Sequence, residues 1–209
     1  MCAVRWLIAI VVIAVVCWPF PLFHVVPLKT AEAKQAATVF NATRFAESFW
    51  TNQLAASFSQ TVPANALVTA IQSDPTAAKK KYSRSVGLGD TYFYYLSGTG
   101  QVTAVADDAI SISLSSGSTN VDVLLQVGLV FGDAVRDGTG LLNASDYPNS
   151  QDFNDISAAL DHLVETRVLP PLKETKVGEK ISFTGCAEVD DESNDLKPLK
   201  VIPVQIEKQ

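Results

Sequence analysis

Residues 92–127 read YFYYLSGTGQVTAVADDAISISLSSGSTNVDVLLQV. β-Branched and aromatic residues gather in 92–97, 101–106, 109–114 and 121–127, and Gly-Thr-Gly, Asp-Asp and Ser-Ser-Gly-Ser-Thr-Asn separate them. Strand formers bounded in this way by turn formers predict four short strands in an antiparallel meander. Two more strands are expected at 180–189 and 199–207. In the second of these Ile202, Val204 and Ile206 alternate, and Pro203 points to an edge or first-register position. Between the two groups Phe153, Ile156, Leu160, Leu163 and Val164 share one helical face. That spacing predicts a helix over 152–169, stopped by Pro170-Pro171. Six strands with one helix inserted late make an OB-like antiparallel β-barrel over 90–209, within an α+β chain.

Upstream of the strands the pattern is helical. Phe45, Phe49, Trp50, Leu54 and Phe58 recur at three- to five-residue steps, so 43–59 is expected to be an amphipathic helix with an aromatic stripe. Pro63 can open a second helix carrying Leu67, Val68 and Ile71. Asp74-Pro75 reads as an N-cap followed by proline at the first helical position, opening a short basic helix to residue 82. Together these make a small helical subdomain over 43–89.

The N-terminus reads as targeting sequence. Arg5 precedes an apolar run from Trp6 to Leu28, 23 residues, with no formal charge before Lys29. Helix is expected over 4–18, where Pro19 and Pro21 break it. The run is about long enough for ~30 Å of hydrocarbon, and Arg5 on the short side places the N-terminus in the cytoplasm and the body outside. Three fates of 1–28 remain open: an uncleaved signal-anchor, a lipoprotein lipidated at Cys17, or cleavage at Ala31-Glu32-Ala33. Val16 is a poor residue before a lipidated cysteine. Residues 29–42, rich in Ala, Lys and Thr, read as a spacer.

The formal charge is −6 and the pI about 4.9. Such a surface repels phosphate backbones, so no nucleic-acid partner is expected. Beyond Cys2 and Cys17 the body holds Cys186 alone, which makes neither an internal disulfide nor a structural zinc site.

The residues carry a family resemblance. Phe40 and Phe45 precede Phe49-Trp50; Asp74-Pro75 is followed by Lys81-Tyr82; Gln126-Val127-Gly128 leads to Gly132, Ala134 and Arg136-Asp137; and Ile181-Ser182-Phe183-Thr184-Gly185 follows. In this order and spacing, over about 40–206, the chain resembles the bacterial predicted periplasmic lipoproteins called domain of unknown function 2291. The resemblance implies helices packed on an OB-like β-domain, a position on the periplasmic side of the inner membrane, and association with sugar-uptake ABC transporters. It implies no known activity. The lipobox departs from the family pattern, and Cys186 stands where a small apolar residue is expected.

Candidate chemistry is sparse. Cys186 and His162 are the Cys/His combination of the body, and nucleophilic catalysis would need them in contact with a third orienting group. A structural cysteine and a surface histidine are the simpler expectation. The run Glu188, Asp190, Asp191, Glu192, Asp195 lacks the glycine and terminal glutamate of an EF-hand loop and reads as a solvated turn. No phosphate loop, serine elbow or metal cluster is present, so no cofactor and no enzymatic role is expected. Asn41 and Asn143 open glycosylation sequons that a bacterial origin leaves idle. The ligand-binding candidates are Arg136 and Asp137, set between glycines and bulky β-core residues, where a planar guanidinium can hold an anion or a polyol. The competing reading is an internal ion pair, each member finding its own partner from an extended strand. Trp50 reads as core or as a platform for a sugar ring. The expected role is a membrane-tethered accessory or binding module of a sugar ABC uptake system, with a ligand-free envelope scaffold as the alternative.

Overall fold

The structure, a computed structural model, describes residues 40–87, 89–147 and 149–209. The expected anchor, Cys17 and the spacer up to residue 39 lie outside the described residues. Among the described residues no helix is long and apolar enough to cross a membrane.

The elements follow the chain as α1 (Ala42–Phe49), β1 (Val62–Pro63), α2 (Ala64–Ser73), α3 (Pro75–Tyr82), β2 (Arg84–Ser85), β3 (Tyr92–Val105), β4 (Ala109–Ser113), β5 (Val123–Gln126), α4 (Ala134–Gly138), α5 (Ser150–Leu163), α6 (Leu169–Lys173), β6 (Lys180–Val189), α7 (Glu192–Asp195) and β7 (Leu199–Lys208). Five strands pair in a closed ring: β3 with β4, β4 with β5, β5 with β7, β7 with β6, and β6 back to β3. Every pair in the ring is antiparallel except β5 with β7, which departs from the all-antiparallel expectation. The helical crossover 134–173 lies between β5 and β6, so β6 returns against β3 and β7 then runs alongside β5. The short β1 and β2 add to β3.

The Gly98-Thr99-Gly100 segment is not a turn. β3 runs unbroken through it, pairing with β6 from Tyr92 to Gln101 and with β4 from Gln101 to Val105. The glycines answer to crowding. A Cβ on Gly100 would run into the Ile112 Cγ2 and lie 2.6 Å from the Ser113 carbonyl oxygen, and one on Gly98 would lie 2.7 Å from the Ala64 Cβ. Glycine inside a strand marks close backbone approach as readily as a turn, and here it lets one strand bend to serve two neighbours.

The first long helix keeps to its expected span of 43–59, whereas the second runs beyond its expected end at 169. α1 continues through a π-helical turn, Trp50–Leu54, into a last turn at Ala55–Ser57. Phe49 and Leu54 are buried in the core, whereas Phe45, Trp50 and Phe58 are half-buried. α5 likewise passes through a π-helical turn, Val164–Val168, into α6. Pro170 and Pro171 therefore do not stop it at Leu169. They occupy the opening of α6, where a missing N–H is tolerated. The Asp74 cap forms as expected: its carboxylate accepts from the Ala77 N–H at 3.0 Å, with Pro75 opening α3. Asn41 and Asn143 serve in the same way, capping α1 and the 3₁₀ turn Ala144–Asp146.

Gly100→Ala tests the bend. The added methyl meets a backbone carbonyl that cannot swing aside, so a loss of about 1–3 kcal/mol in urea unfolding is expected. An unchanged transition midpoint would show that β3 has room there.

Candidate functional site

The Arg136-Asp137 segment is helical. Gly132, at φ +106°, turns the chain after a loop, and α4 follows at once. α4 packs against β3, β6, β7 and α5, so its side chains enter the junction between the strand ring and the long helix. Arg136 is 5 % exposed and Asp137 4 %. They pair with each other: Nε donates to Asp137 Oδ1 and Nη2 to Oδ2, both at 2.8 Å. Asp133 lies 3.0 Å from Nη2, the guanidinium sits 4.0 Å over the Phe153 ring, and Nη1 reaches Asn154 Oδ1 at 3.4 Å. The expectation of separate partners assumed an extended strand, in which neighbours face opposite ways. A helical turn lets consecutive residues close a two-pronged pair.

Above this pair the 127–133 loop is stapled to α5. The Ser157 hydroxyl donates to the Gly132 carbonyl at 2.7 Å, with Asp133 Oδ1 3.0 Å away. The Val130 N–H donates to Glu165 Oε1 at 3.2 Å. Val130 is buried, yet its neighbours Leu129 and Phe131 are 77 % and 75 % exposed. A cleft of about 490 Å³ opens between the loop and α5, lined among others by Leu129, Phe131, Asn154, Asp161 and His162.

Asp161 is the unusual group of this cleft. It is 7 % exposed, and among the described residues its carboxylate has neither a hydrogen bond nor an ion pair. Burial pushes it up to about 7, helped by the charges of Asp133, Glu165 and Glu188 and opposed by Arg136. Glu188, from β6, is also pushed up to about 7, first by burial and then by Asp190, Asp133 and Asp137; the Asp133 backbone N–H pulls the other way.

The remaining candidates fall elsewhere. Cys186 is fully buried where α4 crosses β6, so closely that a Cβ on Gly138 would lie 3.1 Å from its sulfur. Burial pushes its thiol up, away from the reactive thiolate. His162 is exposed. The carboxylates of 190–195 are occupied in the β6–β7 connection: Asp195 accepts from the Asp191 N–H at 2.9 Å and from Lys200 at 3.0 Å, and Asp191 caps α7. Trp50 lies on α1 and does not line the cleft.

The family model of predicted periplasmic lipoproteins, DUF2291, matches residues 7–207. The chain belongs to this family. The DUF2291 description fits a periplasmic location. No curated protein matches the chain. Among solved structures, it is similar to an OB-fold protein of Thermotoga maritima, whose crystal structure was determined at 1.90 Å resolution. The TM-score is 0.72 at 23 % identity, covering 82 % of this chain and 100 % of that one. At that identity the likeness carries the fold alone, and it agrees with the strand ring of this DUF2291 protein.

Two stability measurements test the junction. Arg136→Ala leaves Asp137 buried without its partner, so a loss of about 3–5 kcal/mol is expected. Replacing the pair with Met and Leu should recover much of it. An Arg136→Ala protein that melts like the wild type would make the pair dispensable to the fold. Asp161 gives the opposite sign. A carboxyl pushed up to about 7 binds its proton more tightly when folded than unfolded. Its contribution is therefore full below the ordinary carboxylate range and is lost as pH rises to about 7. Asp161→Asn should raise the melting temperature at pH 7.5 by several degrees and flatten its fall between pH 4 and pH 7. A lower melting temperature at pH 7.5 would contradict the burial penalty.

Proposed function

We propose that this protein is a binding module held on the periplasmic face of the inner membrane by its N-terminal segment, and that the cleft between the 127–133 loop and α5 is where it binds. One observation carries the reading. A cleft of small-molecule size is lined by a buried carboxyl that is unpartnered among the described residues, while two large apolar side chains stand in solvent at its mouth. Arg136 and Asp137 hold the floor of this site rather than its ligand, because the fork of the guanidinium is already filled. Trp50 has no part in it. The module binds rather than catalyses: among the described residues the thiol of Cys186 is sealed by burial, and His162 stands exposed.

Service to a sugar-uptake ABC system, the association that the sequence resemblance implies, is the most specific form of this proposal. The cleft chemistry does not itself select a sugar. A scaffold that meets an envelope partner without a small ligand draws on the same exposed Leu129 and Phe131, which a protein surface could cover.

Thermal shift against a panel of sugars, polyols and amines separates the two readings. A ligand at about 100 times its Kd stabilises the native state by about 2.7 kcal/mol. The paired change Leu129→Ser and Phe131→Ser should abolish that shift while moving the unliganded melting temperature little, since both side chains are already in water. A shift that survives the serine pair would place the site elsewhere. A panel that leaves the wild type unmoved would favour the scaffold.

A further inference from the structure

We infer that the occupant of this cleft is an organic cation, a small molecule whose ammonium or guanidinium group seats against Asp161 and whose apolar body packs beneath Leu129 and Phe131. This inference rests on reading the cleft as the binding site and adds the chemistry of what enters it.

The charge balance of the cleft carries the argument. Asp161 projects from α5 with 7 % of its surface exposed and, among the described residues, neither a hydrogen bond nor an ion pair. Little of Asp161 meets water, and an ionised carboxylate so placed is costly until something cationic or hydrogen-bonding meets it. Among the described residues the cation that acts on Asp161 is committed elsewhere: Arg136 is spent on Asp137, Asp133, Phe153 and Asn154. The other charged neighbours deepen the deficit. Asp133 lines the site from the loop and Glu165 from the π-helical turn of the same long helix, while the charge of Glu188 on β6 acts on Asp161 from outside the cleft. His162, exposed on α5, lines the same cleft.

The same geometry narrows the ligand. Surrounding carboxylates repel an anion. A bare divalent metal needs several ligands converging at coordination distance, and among the described residues no group of three or more His, Cys, Asp and Glu does so. Neutral polyols can donate a hydroxyl to Asp161 but leave the negative field uncompensated. A cation on an apolar body answers both halves of the site: the charge meets Asp161, and the hydrocarbon covers the flank of the loop. Phe131 also offers an aromatic face of the kind that attracts ammonium and guanidinium groups.

Proton linkage then follows from the geometry. The cation needs Asp161 ionised, whereas the empty site keeps its proton up to about pH 7. Binding should release a proton, and affinity should rise about ninefold from pH 6 to pH 8 as the ionised fraction climbs from a tenth to nine-tenths. Glu188 titrates in the same range, so the pH profile needs a variant to assign it.

The experiment is calorimetric titration of the full-length protein in detergent with agmatine and with phenethylammonium, at pH 6 and pH 8, with glucose and calcium chloride as comparators. We expect at least one of the two cations to bind, more tightly at pH 8. Asp161→Asn should lose most of that affinity and its pH dependence while melting higher than the wild type; Phe131→Ser should weaken binding without removing the pH dependence. Silence from both cations at millimolar concentration would overturn the inference. So would cation binding that Asp161→Asn leaves intact. Glucose binding that is lost in Phe131→Ser but kept in Asp161→Asn would preserve the cleft as the site and discard the cation. Calcium binding that displaces the organic cations and fails in Asp161→Asn would replace them with a metal.

Discussion

Almost everything in this protein converges on a guanidinium that water hardly reaches. Arg136 lies on α4, the short helix that packs on the strand ring, and it joins that helix to the 127–133 loop and to the long α5 helix. Its two forked bonds hold Asp137 within α4. Asp133 ties it to the loop, and Phe153 and Asn154 tie it to α5. A buried pair of this kind adds little net stability over an apolar replacement of the same shape, because desolvating both charges offsets their attraction. What it supplies is direction. A planar fork accepts one arrangement of its acceptors, so the loop, the short helix and the long helix are fixed relative to one another.

That fixing explains how a small body keeps a strained site. The loop exposes Leu129 and Phe131, and the cleft behind it retains a carboxyl that would be more comfortable neutral. Both features cost stability, and neither would survive on a loosely held segment. Ser157 and Glu165 hold the loop backbone from α5, while Gly132 supplies the turn that brings Asp133 over β6. The closed strand ring below gives this upper layer a rigid base, since each of its five strands has a partner on both sides.

The strand composition, the two helical stripes and the Asp74-Pro75 cap were legible as sequence, because each rests on local chemistry that tertiary contacts did not override. The misread features were ambiguous locally. Gly98 and Gly100 carry the same signature whether the chain turns or passes close to a neighbour, and only the positions of Ile112, Ser113 and Ala64 decide between them. Pro170-Pro171 marks a helix end unless a π-helical turn resets the numbering of the hydrogen bonds before it. Arg136 and Asp137 stood out by charge among apolar residues, but their mutual pairing required knowing that the segment is helical. Asp161 gave no signal at all. It shares a stripe of α5 with Asn154 and Ser157, a polar band beside an apolar one, which in most helices faces solvent. The loop that covers the band comes from thirty residues upstream, so burial of that carboxyl is a property of the fold and not of the helix.

The placement of Cys186 bears on how the chain survives its journey. Cys186 is the one cysteine among the described residues, and an unpaired thiol in an oxidising compartment invites mixed disulfides with other exported chains. In the folded protein the sulfur lies under α4, with Gly138 directly above it and Tyr95 and Ile202 opposite on the flanking strands. No oxidant reaches it there. Before β6 has joined β3 and α4 has closed over the strand, the same sulfur is open to attack. The hazard is thus confined to the time between translocation and docking of a five-residue helix, and oxidative loss of this protein would report the speed of that step rather than the stability of the finished fold.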